Sequence, residues 1–101
     1  MALIKRLNVN TFTSEADNDA FIAEIIEMWR NWSGLKNPSN ISVDINKDRD
    51  NPMRMTALVT IDGEEAFSAS NKWRKEVVLP LRNKKKHENL MIDADLVANV
   101  V

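Results

Sequence analysis

One basic segment stands out in the sequence, KWRKEVVLPLRNKKKHENL, which runs from Lys72 to Leu90. It holds seven of the chain's 14 lysines and arginines, together with one tryptophan and the single histidine. Lysine and arginine neutralise phosphates, and an aromatic ring among them can stack on a nucleic-acid base. The segment therefore predicts a surface for contact with nucleic acid, made of Lys72, Arg74, Lys75, Arg82, Lys84, Lys85 and Lys86.

The same cations have a second interpretation, which the sequence leaves open. Basic groups late in a helix complement its negative end, and they keep a protein with many acidic groups soluble. The net charge of the whole chain is −1, so the chain exerts no long-range attraction on polyanions. On a regular helix Lys75 and Arg82 lie nearly in line, and we expect both to point away from the core. We expect Trp73, on the apolar side, to be buried.

The only histidine, His87, could serve hydrolase chemistry if carboxylates converged on it in one cleft. The alternative is a solvated histidine beside lysines, whose charges disfavour its protonated form. No serine stands in the sequence context of a nucleophile elbow. We therefore predict no catalytic residue and a chain that is not an enzyme.

Missing residues argue against nucleotide and metal sites. Loops that wrap phosphates need several closely spaced glycines, and this chain has only Gly34 and Gly63. The chain has no cysteine, so no thiolate can hold a metal or a cluster. Acidic and amide groups alternate over residues 44–50, but Arg49 and Met55 stand where a calcium loop needs glycine and glutamate. We predict no metal, no cofactor and no bound nucleotide.

A strand is predicted at the start of the chain, over residues 2–12. Its polarity alternates, with Leu3, Leu7 and Val9 on one face, and we expect that face to join the core. The other face carries Arg6, Asn8 and Asn10.

A helix is predicted next, over residues 13–34. Thr13 or Ser14 can accept hydrogen bonds from the free amides of its first turn, and Gly34 suits its end. Its apolar residues recur at helical spacing, as expected of a helix with one buried face. This apolar stripe consists of Phe21, Ile25, Met28, Trp29 and Trp32, widened by Ile22 and Ile26.

Two antiparallel strands, residues 41–46 and 54–61, are predicted around the turn sequence KDRDNP. Apolar residues recur at every second position, so one face should be buried and the other exposed. The exposed face holds no aromatic residue, which argues against the reading of RNA bases on an open sheet. Its residues are Ser42, Asp44, Asn46, Arg54, Thr56, Leu58 and Thr60.

A second helix is favoured after Asp62, which would be its N-cap. Pro80 has no amide to donate to the carbonyl of Glu76, so we expect the regular helix to end or kink within residues 79–83. The alternative makes residues 64–70 a strand and the fold a three-strand meander. The core stripe of the helix would be Ala66, Ala69, Trp73, Val77 and Leu81.

A fourth strand closes the pattern, with Leu90, Ile92, Ala94 and Leu96 on its apolar face. The order β-α-β-β-α-β favours an α+β fold, a two-layer sandwich with a four-stranded antiparallel sheet and two helices on one face. We interpret residues 1–101 as a single domain.

The apolar tail has no polar partner in the sequence pattern, and we expect it on a sheet edge or against a second subunit. A tryptophan at the rim of the core can also anchor such a contact. We predict a homodimer whose interface includes Trp32, Val97, Val100 and Val101.

The predicted function is that of a small, non-enzymatic binding or assembly protein. Nucleic-acid binding through residues 72–87 is the alternative, and a small hydrolase is a second one. No apolar run approaches the roughly 18 residues that a membrane span needs, so we expect no membrane contact. The N-terminus does not resemble a secretory signal, and a cytoplasmic location is the expectation.

Overall fold

The computed structural model describes residues 3–32 and 40–101 of the chain. Its strands are β1 (Leu3–Phe12), β2 (Ile41–Lys47), β3 (Arg54–Asp62) and β4 (His87–Asp95). The first helix is α1 (Glu15–Asn31). The second helix consists of α2 (Glu64–Trp73), a π-helical turn (Arg74–Val78) and α3 (Leu79–Arg82) in unbroken succession. The predicted role of Gly34 lies outside the described residues.

The four strands form one antiparallel sheet in the order β2-β3-β1-β4, with β2 and β4 at its edges. Both helices pack against one face of this sheet, where two clusters of buried apolar residues lie. The predicted two-layer α+β sandwich is confirmed. The alternative meander is wrong, because residues 64–70 are helical.

The half of the sheet formed by β2 and β3, called here the β2–β3 side, alternates between apolar and polar residues as predicted. Its helix-facing positions are apolar and buried, and its outward positions are mainly polar. Asp48 holds the turn between the two strands, since its carboxylate accepts from the amide of Asp50 at 2.8 Å and from Nε of Arg54 at 2.7 Å. The buried residues here are Ile41, Met55, Ala57, Val59 and Ile61.

The half formed by β1 and β4, called here the β1–β4 side, has the opposite pattern, with polar residues facing the helices. Arg6, Asn8 and Asn10 face the helices and are buried. The prediction that Leu3, Leu7 and Val9 form the core face of β1 is therefore wrong. The apolar residues of β4 share this outward orientation, because the register opposes Leu7 to Ile92 and Val9 to Leu90.

The two ends of β1 explain this inversion. Ile4 is 5% exposed in one apolar cluster, and Phe12 is 3% exposed in the other. Side chains alternate strictly along a strand, so residues an even number of positions apart share a face. Burying both Ile4 and Phe12 therefore turns every even-numbered residue between them toward the helices.

The start of each helix follows from local chemistry. Ser14 caps α1, as one of the two predicted candidates, because its hydroxyl accepts from the amide of Asp17 at 3.1 Å. The predicted cap of the second helix is wrong. Asp62 is the last residue of β3, and Gly63 stands at the cap position with a φ of 94° and no side-chain hydrogen bond.

The second helix passes through Pro80 by widening. Over Arg74–Val78 the backbone is π-helical, and the amide of Leu79 donates to the carbonyl of Arg74, five residues back. The proline lacks an amide and its ring crowds the preceding turn, so a wider turn removes a clash that a regular helix would suffer. The irregularity thus lies before the expected residues 79–83, and α3 ends at Arg82.

The π-helical turn also changes which side chains face the sheet. It takes up one extra residue, so the eight steps from Arg74 to Arg82 cover about two turns. Arg82 therefore lies in line with Arg74, and the expectation that it points outward beside Lys75 is wrong. Val78 is buried and Val77 only half-buried, while Ala69, predicted in the core, is exposed.

Candidate functional site

The polar half of the helix–sheet interface is centred on Arg6, a buried residue of β1. Its Nε donates to Asp93 at 2.6 Å, and its Nη2 donates to the same carboxylate at 3.0 Å. Nη2 also donates to the side chain of Asn71 on α2 at 2.6 Å. The guanidinium carbon lies 5.1 Å from the ring centre of Phe67. Arg6 thus connects β4, β1 and the second helix.

Three asparagines form a second polar group beside Arg6. Nδ2 of Asn89, on β4, donates to the side-chain oxygens of Asn8 at 2.6 Å and Asn10 at 2.7 Å. Nδ2 of Asn10 lies 3.5 Å from the sulfur of Met55, where the polar and apolar halves meet. These bonds satisfy amides that would be costly to bury alone.

A cavity of about 40 Å³ lies between this polar group and the second helix. One wall is apolar and belongs to the core, and the other is polar. An engineered cavity of about 150 Å³ holds benzene, so a cavity of about 40 Å³ has room for a small functional group and not for a whole aromatic molecule. Its polar and aromatic lining comprises Arg6, Asn8, Asn10, Ser70, Arg74, Trp29 and Trp73.

The three tryptophans meet in one cluster at the edge of this cavity. The ring centres of Trp29 and Trp73 are 4.4 Å apart, and those of Trp32 and Trp73 are 5.0 Å apart. All three rings are half-buried, so the predicted burial of Trp73 is only partial. Trp32 packs here on its own chain, and its predicted part in an interface stays a prediction.

The charges around Arg6 perturb one another. Hydrogen bonds from Arg6 hold the pKa of Asp93 below its ordinary value, and the positive charges of Arg6 and Arg74 add to this effect. Burial lowers the pKa of Arg74, and the charge of Arg6 lowers it further. Burial likewise lowers the pKa of Arg82, with a further contribution from Arg74. The site therefore carries more positive charge than Asp93 offsets.

The predicted basic surface is divided by the fold. Arg82 is buried and Arg74 half-buried toward the cavity, so these two leave the surface. Lys85 is half-buried and lies 3.9 Å from the carboxylate of Asp17 on α1. Nucleic-acid binding through the whole segment stays a prediction, and the cations left exposed for it are Lys72, Lys75, Lys84 and Lys86.

His87 lies apart from the polar cavity. It begins β4, is half-buried and has its ring centre 5.8 Å from that of Phe12. Its Nδ1 is 2.8 Å from the carbonyl oxygen of Lys85. Within residues 3–32 and 40–101, no carboxylate contacts its ring, and no three histidine or acidic side chains gather as a metal-ligand set. The geometry gives the hydrolase alternative no convergent groups.

The outward face of the β1–β4 side is apolar. Leu90 is 57% exposed and Ile92 48% exposed, and Leu7 and Leu58 lie beside them. The tail beyond β4 is exposed as well, although the amide of Leu96 donates to the carbonyl of Leu3 at 2.9 Å. The predicted interface residues Val97, Val100 and Val101 belong to this exposed tail.

Sequence reasoning missed the residues at the centre of this site. Arg6, Asn8 and Asn10 were assigned to solvent because polar residues on an amphipathic strand usually face water. A usable signal existed in the sequence. Ile4 and Phe12 lie on the same face of β1 as these three polar residues and are the largest apolar residues on that face. Asp93 and Asn89 carried no signal of their own, because their partners lie about 80 or more residues away along the chain.

In the described ranges, no helix combines the length and apolar character that a membrane crossing requires.

Comparisons with known proteins show the fold. No protein-family model matches the sequence, and no curated protein is significantly similar to it. A dimeric ferredoxin-like protein from an uncultured marine organism superposes with a TM-score of 0.80 at 12% identity, over 99% of this chain and 100% of that one. A second dimeric ferredoxin-like protein, also from an uncultured marine organism, superposes with a TM-score of 0.68 at 16% identity, over 100% of this chain and 99% of the other.

A third similar structure corrects the prediction that the chain is not an enzyme. It is a Bordetella bronchiseptica protein provisionally named an antibiotic biosynthesis monooxygenase, with a TM-score of 0.57 at 16% identity over 97% of this chain and 100% of that one. The prediction is wrong because it was drawn only from missing hydrolase, metal and nucleotide motifs, and a chain with this architecture carries an enzyme name. At these identities the likeness establishes architecture, and the chain has the ferredoxin-like fold.

Proposed function

We propose that this protein is a homodimer that binds a small, mostly apolar organic molecule with a polar group between the sheet and the second helix of each subunit. The inverted polarity of β1 and β4 is the single observation that carries the proposal. It turns apolar side chains outward, where a second subunit can cover them, and polar side chains inward, where a ligand can meet them.

The outward apolar patch supports a second copy as its occupant. Leu7, Leu58, Leu90 and Ile92 adjoin one another on the sheet face that no helix covers. A two-fold axis through the patch would pair it with itself, as in most homodimers. Two structures of the same fold are named dimeric ferredoxin-like proteins, which favours this arrangement. The exposed apolar tail adjoins the patch through Leu96 and extends the same surface.

Sedimentation velocity tests the dimer directly. We expect the parent chain to sediment as a dimer and Ile92→Asp as a monomer, because a buried unpaired carboxylate would oppose association. Ser42→Asp is the matched control, since Ser42 is also exposed on the uncovered sheet face but lies on β2. It should stay dimeric. A parent chain that is monomeric at high concentration would overturn this half of the proposal.

The inward polar group supports a ligand site. Buried asparagines and arginines with convergent donors are typical of small-molecule sites, in which a few polar groups orient a mostly apolar ligand. The tryptophan cluster gives a large apolar surface beside them. The cavity of about 40 Å³ would have to widen for most ligands, and the π-helical turn that borders it is of a kind found often at functional sites.

Intrinsic fluorescence tests the ligand site. The chain has three tryptophans and no tyrosine, so its emission arises from the cluster beside the cavity. We expect small aromatic compounds to change this emission saturably. The change should be lost in Ser70→Leu, whose larger side chain would fill the cavity. Ser68→Leu, on the exposed side of α2, is the control. Unsaturable or absent changes across a varied set of compounds would contradict the site.

Monooxygenation is the reaction class that we propose to assay first, on bound compounds that can supply all the electrons themselves. The step balances with oxygen alone when a methylene group becomes a carbonyl, because one oxygen atom enters the product and the other leaves as water with the two methylene hydrogens. The name of the Bordetella bronchiseptica protein and its shared fold favour this class. A dissolved-oxygen electrode measures it, with ligands found by fluorescence as substrates. Oxygen uptake that depends on the parent chain and disappears in Ser70→Leu is the expected result. Binding without turnover would leave a binding protein and remove the enzymatic half.

A further inference from the structure

Two arginines of the second helix lack partners for their charges. Arg82 is 6% exposed, and its Nε and Nη1 are buried without a hydrogen-bond partner. Nε of Arg74 is buried in the same way. Neither residue forms an ion pair within the described part of the chain. An unpaired buried charge is among the most destabilising features a folded protein can carry, so it calls for a counter-charge.

The π-helical turn is what brings these two arginines together. It aligns Arg74 and Arg82 two turns apart on the sheet-facing side of the helix. Arg74 lines the cavity directly. Burial lowers the pKa of Arg82 and the charge of Arg74 lowers it further, as expected of two cations on the same side of one helix.

The neighbouring charges leave this pair uncompensated. Arg6 is the third arginine of the region, and it holds Asp93 with two of its own nitrogens. One carboxylate therefore stands against three guanidinium groups. Burial and the charge of Arg6 lower the pKa of Arg74 by more than the charge of Asp93 raises it.

We propose that Arg74 binds the carboxylate of a small aromatic acid, with Arg82, which does not line the cavity, as a second positive charge on the same side of the helix. This names the ligand class of the proposed site and rests on that site. A guanidinium presents parallel donors that match the planar carboxylate, and the small cavity suits this group better than a bulkier phosphate. Trp29 and Trp73 line the same cavity as Arg74 and offer an apolar surface for the ring of the acid.

Paired titrations followed by tryptophan fluorescence test the charge requirement. The probes are benzoate and its neutral analogue benzamide, with inorganic phosphate as a second anion. We expect benzoate to bind at least tenfold more tightly than benzamide or phosphate. Arg74→Met should weaken benzoate binding at least tenfold and Arg82→Met by a smaller factor, whereas Lys75→Met, which removes an exposed cation of the same helix, should leave it unchanged.

A stability measurement keeps the proposal testable without any binding signal. Methionine at position 82 removes an unpaired charge and keeps the apolar stem, so Arg82→Met should melt at a higher temperature than the parent in chloride buffer. Saturating benzoate should raise the melting temperature of the parent and leave that of Arg74→Met unchanged. A lower melting temperature for Arg82→Met would show that the arginine already has a stabilising partner, and would overturn the inference.

The outcomes separate this inference from the function on which it rests. Equal binding of benzoate and benzamide would keep the small-molecule site and overturn the carboxylate. Tighter binding of phosphate would keep an anion site and overturn the acid class. A set of neutral and charged aromatic compounds that all fail to bind would overturn the proposed site itself, and the inference with it.

Discussion

The two sides of the sheet, β2–β3 and β1–β4, have opposite patterns of buried and exposed residues. On the β2–β3 side, Ile61 and Met55 are buried under the helices and polar residues face away. On the β1–β4 side, Arg6 and the asparagines lie under the helices and Leu90 and Ile92 face away. One side therefore stabilises the subunit as an ordinary core does. On the other side, the interior is occupied by polar groups that contribute less to stability, and apolar groups are left exposed.

Under the proposed function, this contrast separates stability from function within one small sheet. Proteins depart from a locally consistent pattern mostly at functional sites. Here the departure is confined to the strands that contribute Arg6, Asn89 and Asp93 to one polar group. Substitutions on the two sides should therefore differ in what they change, as well as in how much.

The largest difference is expected between two isoleucines. Ile61→Ala removes a side chain that is 0% exposed and should lower the free energy of unfolding by about 2–5 kcal/mol. Ile92→Ala removes a half-exposed side chain, and should mainly weaken association of the proposed dimer. Urea unfolding at several protein concentrations separates the two effects. Equal losses at all concentrations would erase the contrast between the two sides.

The next effect concerns the ion pair on the β1–β4 side. Asp93→Asn keeps the shape of the side chain and removes the charge that Arg6 needs. We expect a loss of about 1–2 kcal/mol, at the low end for a charged hydrogen bond because the Asp93 side chain is 32% exposed. Asp95→Asn, two residues along the same strand, is the control. Urea unfolding at pH 7 provides the measurement, and a smaller loss for Asp93→Asn than for its control would contradict it.

A smaller effect is expected from the asparagine group. Asn89→Ala removes the donor that bridges Asn8 and Asn10, and should lower the free energy of unfolding by about 1 kcal/mol. Thermal unfolding followed by circular dichroism measures the loss. Asn46→Ala, at an outward polar position of β2, should change stability less. The reverse order would show that this polar group adds nothing to stability.

The pH dependence gives the most selective effect. The pKa of Asp93 is held below its ordinary value of 3.8, so the pair stabilises the fold above about pH 4 and loses that effect as pH falls through the lowered pKa. The stability difference between the parent and Asp93→Asn should therefore shrink as the pH drops below 4. Unfolding curves at stepwise lower pH measure it. A difference that stays constant to pH 2 would mean that the charge is not its source.

Much of the architecture was accessible from sequence patterns. The order of helices and strands, the cap at Ser14 and the buried face of β3 follow from local periodicity and hydrogen-bonding chemistry. The candidate site was largely inaccessible, because its bonds join β1 to β4 and to α2 across distant parts of the chain. Local patterns contain no information about such partners.

The position of Arg82 shows, within one helix, the same limit of what a local sequence pattern predicts. Pro80 indicates an irregularity in the helix. A break and a widened turn accommodate its missing amide and its bulky ring equally well. The widened turn is found, and it moves Arg82 from the exposed side of the helix to the buried side. One residue of helical phase thus decides whether this cation lies on the surface or in the interior of the protein.

By itself, the sequence determined that β1 has two unlike faces, since a period of two requires no partner. Only the tertiary structure decided which face lies inside. Ile4 and Phe12 fit into apolar clusters built by other strands and helices, and their burial carried Arg6, Asn8 and Asn10 inward with them. The physical reason is that alternation is a local property of an extended chain, whereas burial depends on what packs against it.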